Sequence, residues 1–219
     1  MLTAAGRGER LGLDRPKAFA RLGDRPLVAE SLQRLELSGW IDRIVVVAPP
    51  GWEEPVILLA EELGVGKVVA AVPGARHRAE SVRNGVAEVA PEAVIILVHD
   101  AARPLVADAV VERVLQPLAE GWDGAVPVLP VADTVKRIRD GQVIETVDRT
   151  DLVVVQTPQA FLAERLREAL AGDISAATDC SSLVEARGGR VRAVPGDRRL
   201  VKVTERPDLE LVESLLSPA

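Results

Sequence analysis

The sequence predicts an α/β protein, a three-layer sandwich in which a mostly parallel, twisted sheet lies between two layers of helices. Short apolar runs rich in β-branched residues, such as 44–48 and 94–98, are typical of strands buried on both faces. Amphipathic stretches with helical periodicity separate these runs. The alternation of the two patterns favours a parallel sheet, because a helix usually forms the crossover between parallel strands.

The first half of the chain follows this alternation without interruption. Pro26 is compatible with a first helical turn, and Val28, Leu32 and Leu35 share one face of the helix that follows. In order, the predicted elements are a helix from Pro26 to before Ser38, a strand at 44–48, a helix at 53–63, a strand at 68–72, a helix at 79–89, a strand at 94–98 and a helix at 108–118. Only Met1-Leu2-Thr3 precede Ala4, so we expect the first strand to be short.

The second half departs from this pattern. Residues 134–138 and 142–147 alternate around the turn dipeptide Asp140-Gly141, which predicts a β-hairpin. Because an isolated hairpin is marginally stable, we expect this β-arm, at about 133–152, to pack against a further surface such as a second subunit. The remaining predicted elements are strands at 125–131, 152–155, 190–194 and 200–203, and helices at 160–170, at 178–186 and around Pro207. We see no linker or repeat, so we predict one domain over residues 1–219.

Composition narrows the classes of partner. The net charge is −6 and the pI is near 5.1, which argues against non-specific binding to nucleic acid or to a membrane surface. Aromatic residues make up 2% of the chain, too few for the stacking platforms that bind single strands. Cys180 is the only cysteine, so no internal disulfide can form. With no signal-like segment and no long apolar run, we expect a cytoplasmic protein.

The first twenty residues contain the main candidate for a ligand site. Gly6 and Gly8 allow tight turns and a close approach of the backbone to a ligand, and the cations Arg10 and Lys17 follow them. Backbone N–H groups beside paired cations are what a polyphosphate requires. This segment therefore indicates a site for a nucleoside triphosphate, although the glycines could serve ordinary turns and the cations could be surface residues.

Other candidates follow the predicted strands, whose carboxyl ends form the ligand crevice in sheets of this kind. Asp100 either binds Mg²⁺, directly or through water, or has a structural role, in which it caps the next element or pairs with Arg103. Ser81 either caps a helix or hydrogen-bonds a ligand. Lys202, inside a short apolar run, either extends outward or meets an anion. We expect His99 to be structural, because transfer between ready-made anions needs no histidine base.

A set of short motifs extends over nearly the whole chain. The motifs are Ala4 to Arg10, Pro16-Lys17, Arg78 to Val82, His99 to Pro104, Val147 to Arg149, Gln156 to Gln159, Thr178-Asp179 and Lys202 to Thr204. In content and order they resemble the motifs of 2-C-methyl-D-erythritol 4-phosphate cytidylyltransferases. The combination of His-Asp-Ala-Ala-Arg-Pro, Val-Asp-Arg and Gln-Thr-Pro-Gln is the most specific part of the resemblance.

The resemblance implies a Rossmann-like nucleotidyltransferase fold and a reaction. The 4-phosphate of methylerythritol phosphate would attack the α-phosphorus of CTP in line, with Mg²⁺ or another divalent cation held at Asp100. Arg10 and Lys17 would stabilise the transition state, and Arg149 and Lys202 would position the attacking phosphate. The remaining residues that it implies are, for the nucleotide, Ala4, Ala5, Gly6, Gly8, Ala75, Arg78, Ser81, Asp100 and Ala101, and for the second substrate Asp100, Arg103, Thr134, Thr157 and Thr178.

The family's β-arm exchanges between two subunits, so the resemblance also implies a homodimer in which Thr134 and Arg149 serve the partner's site. Three alternatives stay open at this point. One is a ribitol-5-phosphate cytidylyltransferase, which shares the scaffold. A more distant one is a sugar-1-phosphate nucleotidyltransferase. The third is a non-catalytic module that binds nucleotides.

Overall fold

The computed structural model describes residues 1–6, 8–175 and 177–216. Its strands are β1 (Leu2–Thr3), β2 (Arg21–Leu22), β3 (Arg25–Pro26), β4 (Ile44–Ala48), β5 (Val68–Pro73), β6 (Ile95–Asp100), β7 (Gly124–Pro130), β8 (Val135–Arg139), β9 (Gln142–Val147), β10 (Val153–Val155), β11 (Gln159–Leu162) and β12 (Val191–Pro195). Its α-helices are α1 (Leu27–Leu37), α2 (Glu53–Glu62), α3 (Arg78–Ala87), α4 (Asp108–Ala119), α5 (Ala163–Leu170), α6 (Cys180–Glu185) and α7 (Arg206–Leu216).

The central sheet has the strand order β10-β7-β11-β6-β1-β4-β5, with β12 also paired to β7. The pairs β4–β5, β1–β4, β1–β6 and β7–β12 are parallel, whereas β11 runs antiparallel to both its neighbours and β10 is antiparallel to β7. Apolar side chains of α1, α2 and α4 pack on one face, and those of α3, α5 and α6 on the other. The predicted three-layer α/β sandwich is confirmed.

The short first strand lies at the centre of the sheet. Leu2 pairs with Val46 on one side and His99 on the other, and Thr3 pairs with Val47 and Asp100. Leu2 is fully buried. The segment that follows Thr3 therefore leaves the sheet directly beside the end of β6.

Three predictions for local structure were wrong. The predicted helix at 160–170 begins only at Ala163, because residues 159–162 form β11 and fill the gap between β6 and β7. Residues 200–203 form no strand; isolated hydrogen bonds hold them, such as the one from Val203 N to Ala102 O at 2.8 Å. The strand predicted at 94–98 extends to Asp100, which places His99 and Asp100 on the strand itself.

The predicted hairpin is confirmed as β8 and β9, which pair with each other in a separate two-stranded sheet. Most of its residues are exposed, including the apolar side chains of Ile138, Val143 and Ile144. The helix predicted at 178–186 forms between Cys180 and Glu185. Among the residues described, no helix is long and apolar enough to cross a bilayer.

The packing of β7 against β11 gives a test of this arrangement. A Cβ added at Gly124 would lie 2.5 Å from Cδ1 of the buried Phe161 and 3.1 Å from Ala160 O. We expect Gly124→Ala to lower the free energy of unfolding by about 1–3 kcal/mol, as overpacking does. Urea unfolding measures this. The matched control is Gly39→Ala, where a Cβ meets nothing within 4 Å, and equal effects of the two substitutions would contradict the packing described.

Candidate active site

A cavity of about 250 Å³ lies at the carboxyl ends of β1, β5 and β6. The segment after Thr3, the segment after Pro73 and the end of β6 meet there, so the predicted convergence on one crevice is confirmed. The cavity gathers many of the residues that the sequence singled out: Ala4, Ala5, Gly6, Lys17, Ala75, Arg78, Ser81, Asp100, Ala101 and Lys202.

Two glycines let the loops around the cavity come close together. Gly8 has a positive φ of 72°, and a Cβ there would lie 2.8 Å from the Cβ of Lys17. At Gly74 a Cβ would lie 2.2 Å from the Cβ of Ala5. Larger residues at either position would separate the N-terminal loop from Lys17 or from the end of β5. Arg10 follows in a short 3₁₀ turn, Glu9–Leu11, where its side chain is exposed.

Ser81 fixes the loop that enters α3. Its Oγ accepts a hydrogen bond from Ala75 N at 2.9 Å and lies 3.1 Å from His77 O, to which the hydroxyl can donate. Glu80 accepts a hydrogen bond from His77 N at 3.1 Å. The hydroxyl of Ser81 is buried, and in this structure it holds residues 75–77 against the start of the helix.

The carboxylate of Asp100 is the centre of the site. Arg78 Nη2 lies 3.1 Å from its Oδ1, Thr3 Oγ1 donates to the same oxygen at 3.0 Å, and Lys202 Nζ lies 2.7 Å from Oδ2. Burial alone would raise the pKa of Asp100, but the charges of Arg78 and Lys202 outweigh it and hold that pKa well below its usual range. Lys202 thus meets an anion, and Asp100 pairs with Arg78 and Lys202 rather than with Arg103.

Positive charge dominates the lining. Among the described residues that line the cavity, Lys17, Arg76, Arg78 and Lys202 are cationic and Asp100 is the only carboxylate. Lys17 Nζ donates to Val203 O at 2.9 Å. Burial, reinforced by the charge of Lys202, lowers the pKa of Lys17 to about 8. A cavity with surplus positive charge and converging backbone segments suits a polyphosphate.

Two other predicted residues lie behind the cavity. Arg103 Nη1 donates to Leu200 O at 2.6 Å, and Nη2 lies 3.5 Å from Val155 O. Thr157 Oγ1 accepts a hydrogen bond from Asp100 N at 3.1 Å. Both residues therefore contact the backbone around the site, and neither lines the cavity.

The residues predicted on the β-arm and on the loop before α6 lie outside the cavity lining. Arg149 donates from Nη1 to Val131 O at 2.9 Å and also to Ala132 O. Thr134 and Thr178 are exposed. Within one chain, the structure does not bring these three residues to the lining of the cavity.

Sequence reasoning missed some contributors to the site. Thr3 bonds Asp100, and the carbonyl of Val203 holds Lys17. The Sγ of Cys180, a residue expected to be an ordinary part of its helix, lies 3.5 Å from Arg78 Nη1, and burial raises the pKa of this thiol to about 11. Strand register and backbone carbonyls carry no sequence signal, so only the fold reveals these contacts.

Comparison with known proteins adds a family match. The family model for 2-C-methyl-D-erythritol 4-phosphate cytidylyltransferase matches residues 1–218. A protein of that name from Nocardia farcinica is 45% identical over 217 residues, covering 99% of this chain and 92% of its own. Another from Saccharopolyspora erythraea is 43% identical over 221 residues, covering 99% and 98%.

Solved structures show the same similarity. A crystal structure of 4-diphosphocytidyl-2C-methyl-D-erythritol synthase is 34% identical, with a TM-score of 0.83, and the match covers 99% of this chain and 96% of that one. The 2-C-methyl-D-erythritol 4-phosphate cytidylyltransferase of Thermus thermophilus is 32% identical with a TM-score of 0.78, covering 98% and 97%.

The depressed pKa of Lys17 predicts how the affinity for CTP depends on pH. As the pH rises through about 8, Lys17 loses its proton and with it a positive charge that would attract a triphosphate, whereas well below that value the charge is fully present. We expect the Kd for CTP, measured by calorimetry, to rise above pH 8 with a slope that approaches about tenfold per pH unit. The charges facing Lys17 are those of Lys202, Asp100, Arg10 and Asp208.

Lys17→Arg is the control for this prediction, because arginine keeps its charge throughout that range. In this variant the Kd should vary little between pH 8 and 10. The same slope in both proteins would show that another group titrates.

Proposed function

The chain belongs to the 2-C-methyl-D-erythritol 4-phosphate cytidylyltransferase family, and from this premise we propose how its residues perform the reaction. The enzyme transfers CMP from CTP to 2-C-methyl-D-erythritol 4-phosphate, giving CDP-methylerythritol and pyrophosphate. The observation that carries the assignment of residues is the cavity whose described lining contains four cationic side chains and a single carboxylate.

The N-terminal side of the cavity holds CTP in this proposal. Backbone groups of Ala4, Ala5, Gly6 and Gly8 face the triphosphate, and Ala75, Arg78, Ser81 and Ala101 contact the nucleoside side. Lys17 lies on the cavity wall and Arg10 close beside it, so their charges stabilise the negative charge that grows at the α-phosphate. The backbone of Gly8 passes so close to Lys17 that a side chain there would meet it, and this supports the arrangement because it places Lys17 beside the loop.

The opposite side holds the methylerythritol phosphate. Lys202 attracts its phosphate, Asp100 accepts hydrogen bonds from its hydroxyl groups, and Arg103 fixes the segment that carries Lys202. Thr134, Arg149, Thr157 and Thr178 are further substrate contacts that the family resemblance implies. Both reactants are anions, so the protein's contribution is to neutralise charge and to align the attacking oxygen with the α-phosphorus.

We propose that the reaction needs Mg²⁺ or another divalent cation. Mg²⁺ is usually bound through one or two carboxylates together with substrate phosphates. One carboxylate, Asp100, lines the cavity among the described residues, so the donor set fits an ion that shares its coordination with CTP. When bound, the ion neutralises charge on the triphosphate. Arg78 and Lys202, which contact Asp100, line the same cavity and would also face the phosphates.

A homodimer formed through the β-arm is part of the proposal. Apolar side chains stay exposed on the hairpin and on β10, among them Ile138, Val143 and Val154. Exposed apolar surface of this kind marks protein interfaces. Arg149 lies on the same arm, held by the carbonyls of Val131 and Ala132, and in a dimer it would serve the partner's cavity.

We further propose that residues 1–219 act as one domain and that the enzyme works in the cytoplasm. The two helical layers pack on one continuous sheet, which supports the first point. Cys180 is buried as a free thiol, which is usual for reducing compartments.

Steady-state release of pyrophosphate tests the substrate. With CTP and Mg²⁺, we expect turnover with methylerythritol phosphate and little with ribitol 5-phosphate or hexose 1-phosphates. Addition of a chelator should abolish the signal, and excess Mg²⁺ should restore it. A preference for ribitol phosphate would favour the alternative cytidylyltransferase, and nucleotide binding without any turnover would favour a non-catalytic module.

Mixing two inactive variants tests the shared site. Lys17→Ala and Arg149→Ala should each lower kcat by about 10²-fold or more, because the first removes a charge that stabilises the transition state and the second removes one that positions the attacking phosphate. After an equal mixture has exchanged subunits, about a quarter of the sites would combine an intact cavity with an intact arm, given twofold symmetry. Activity should therefore recover to about that fraction of the unmodified enzyme. No recovery despite proven exchange would place Arg149 in its own chain's site.

A further inference from the structure

A chain of buried hydrogen bonds lies behind Asp100, on the side of β6 away from its carboxylate. It joins Asp100 N, the Thr157 hydroxyl, the His99 imidazole and the Arg103 carbonyl. Asp100 N donates to Thr157 Oγ1 at 3.1 Å, Thr157 Oγ1 lies 3.0 Å from His99 Nδ1, and His99 Nε2 lies 3.1 Å from Arg103 O. The chain thus begins and ends on the backbone of the turn at residues 100–103.

The direction of every hydrogen bond in this chain follows from its two ends. A carbonyl oxygen can only accept, so the hydrogen on the neutral imidazole belongs to Nε2 and points at Arg103 O. His99 Nδ1 then has a free lone pair, which accepts the Thr157 O–H. The hydroxyl oxygen in turn accepts from Asp100 N. All the polar atoms of His99 and the one donor of Thr157 are used within the protein.

Burial separates these two residues from the substrates. His99 is 2% exposed and Thr157 is 4% exposed, and neither lines the cavity. Since its single O–H already donates to His99, Thr157 can donate to a substrate only by giving up that bond, and its buried oxygen could meet a substrate only as a further acceptor. A direct substrate contact, which the family resemblance suggests for Thr157, is therefore the weaker interpretation.

We propose that His99 and Thr157 are positioning residues, which hold the turn at 100–103 so that Asp100 and Lys202 face the reactants at a fixed separation. This inference rests on the roles proposed above for Asp100 and Lys202. From one end of the turn, Asp100 contacts Lys202 directly. From the other end, Arg103 Nη1 holds Leu200 O at 2.6 Å, two residues before Lys202.

The same segment is also fixed from the Thr157 side. The neighbouring residue, Gln156, accepts from Asp197 N at 3.0 Å and donates to Asp197 O at 2.9 Å. Residues 197–202 are therefore held by Gln156, Arg103 and Asp100. A misplacement of about 1 Å at a reacting group can lower the rate about 10²-fold. Loss of the hydrogen bonds that hold residues 197–202 should therefore lower kcat.

The test compares isosteric variants by steady-state kinetics with CTP and methylerythritol phosphate. Thr157→Val removes the hydroxyl and keeps the shape, and His99→Phe removes both ring nitrogens. Each should lower kcat by about 10–100-fold, with the KM for CTP nearly unchanged. Thr157→Ser keeps the hydroxyl and should stay close to the unmodified enzyme. Because both residues act through the same series of hydrogen bonds, the double variant should be no slower than the slower single variant.

Nitrogen-15 NMR of the imidazoles gives a second measurement, which does not depend on the activity of any variant. The protein contains two histidines, so the signals that His99→Phe removes belong to His99. Near neutral pH, the unmodified enzyme should show its Nε2 protonated and its Nδ1 unprotonated. A proton on Nδ1 would overturn the proposal, even if a substituted protein failed to fold.

The remaining outcomes separate this inference from the proposed function. If the unmodified enzyme releases no pyrophosphate with either polyol phosphate, the proposed function fails. If it is active but Thr157→Val keeps its kcat, the positioning role fails. A raised KM for methylerythritol phosphate alone, with additive effects in the double variant, would identify Thr157 as a direct substrate contact and also overturn the proposal.

Discussion

The contact between the Asp100 carboxylate and its two cations is the interaction on which the site depends. A buried carboxylate is costly unless it is paired and hydrogen-bonded. Asp100 meets this requirement with Lys202, Arg78 and Thr3, which belong to the C-terminal segment, α3 and β1. One ionic cluster therefore draws three distant parts of the chain to the end of β6. The cavity is the space that remains between them.

The described lining of the cavity carries more positive than negative charge, even with Asp100 counted. Asp100 compensates part of the charge of Arg78 and Lys202, while Lys17 Nζ donates to the carbonyl oxygen of Val203. Burial beside Lys202 lowers the pKa of Lys17, so the protonated side chain is poorly stabilised before an anion binds. A bound polyphosphate would stabilise it. Charged groups already oriented around the reacting phosphate need little rearrangement during the reaction, which is where electrostatic catalysis gains most.

The central sheet and the β-arm differ in how much apolar surface they bury. The sheet and its two helical layers bury apolar side chains around β1, β4, β6 and β11. The β-arm buries little of its own surface, and its strands pair only with each other in the sheet order. A hairpin with so little support is marginal alone. A second copy of the chain that covers the hairpin would bury its exposed apolar side chains. The proposed dimer would thereby stabilise the arm.

By itself, the sequence determined the α/β class, nearly all the helices, the hairpin and the loops that meet at the cavity, because hydrophobic period, proline and glycine act locally. It also singled out Lys17, as a cation after a glycine-rich segment, and Asp100 and Lys202, since charged residues are unusual beside or within apolar runs. Only the tertiary structure decided that Lys202 pairs with Asp100, that residues 159–162 are a strand and that 200–203 are not. Lys202 and Asp100 are 102 positions apart, and β11 becomes a strand by fitting between β6 and β7. Such partners come together only when the whole chain packs, and no local pattern encodes them.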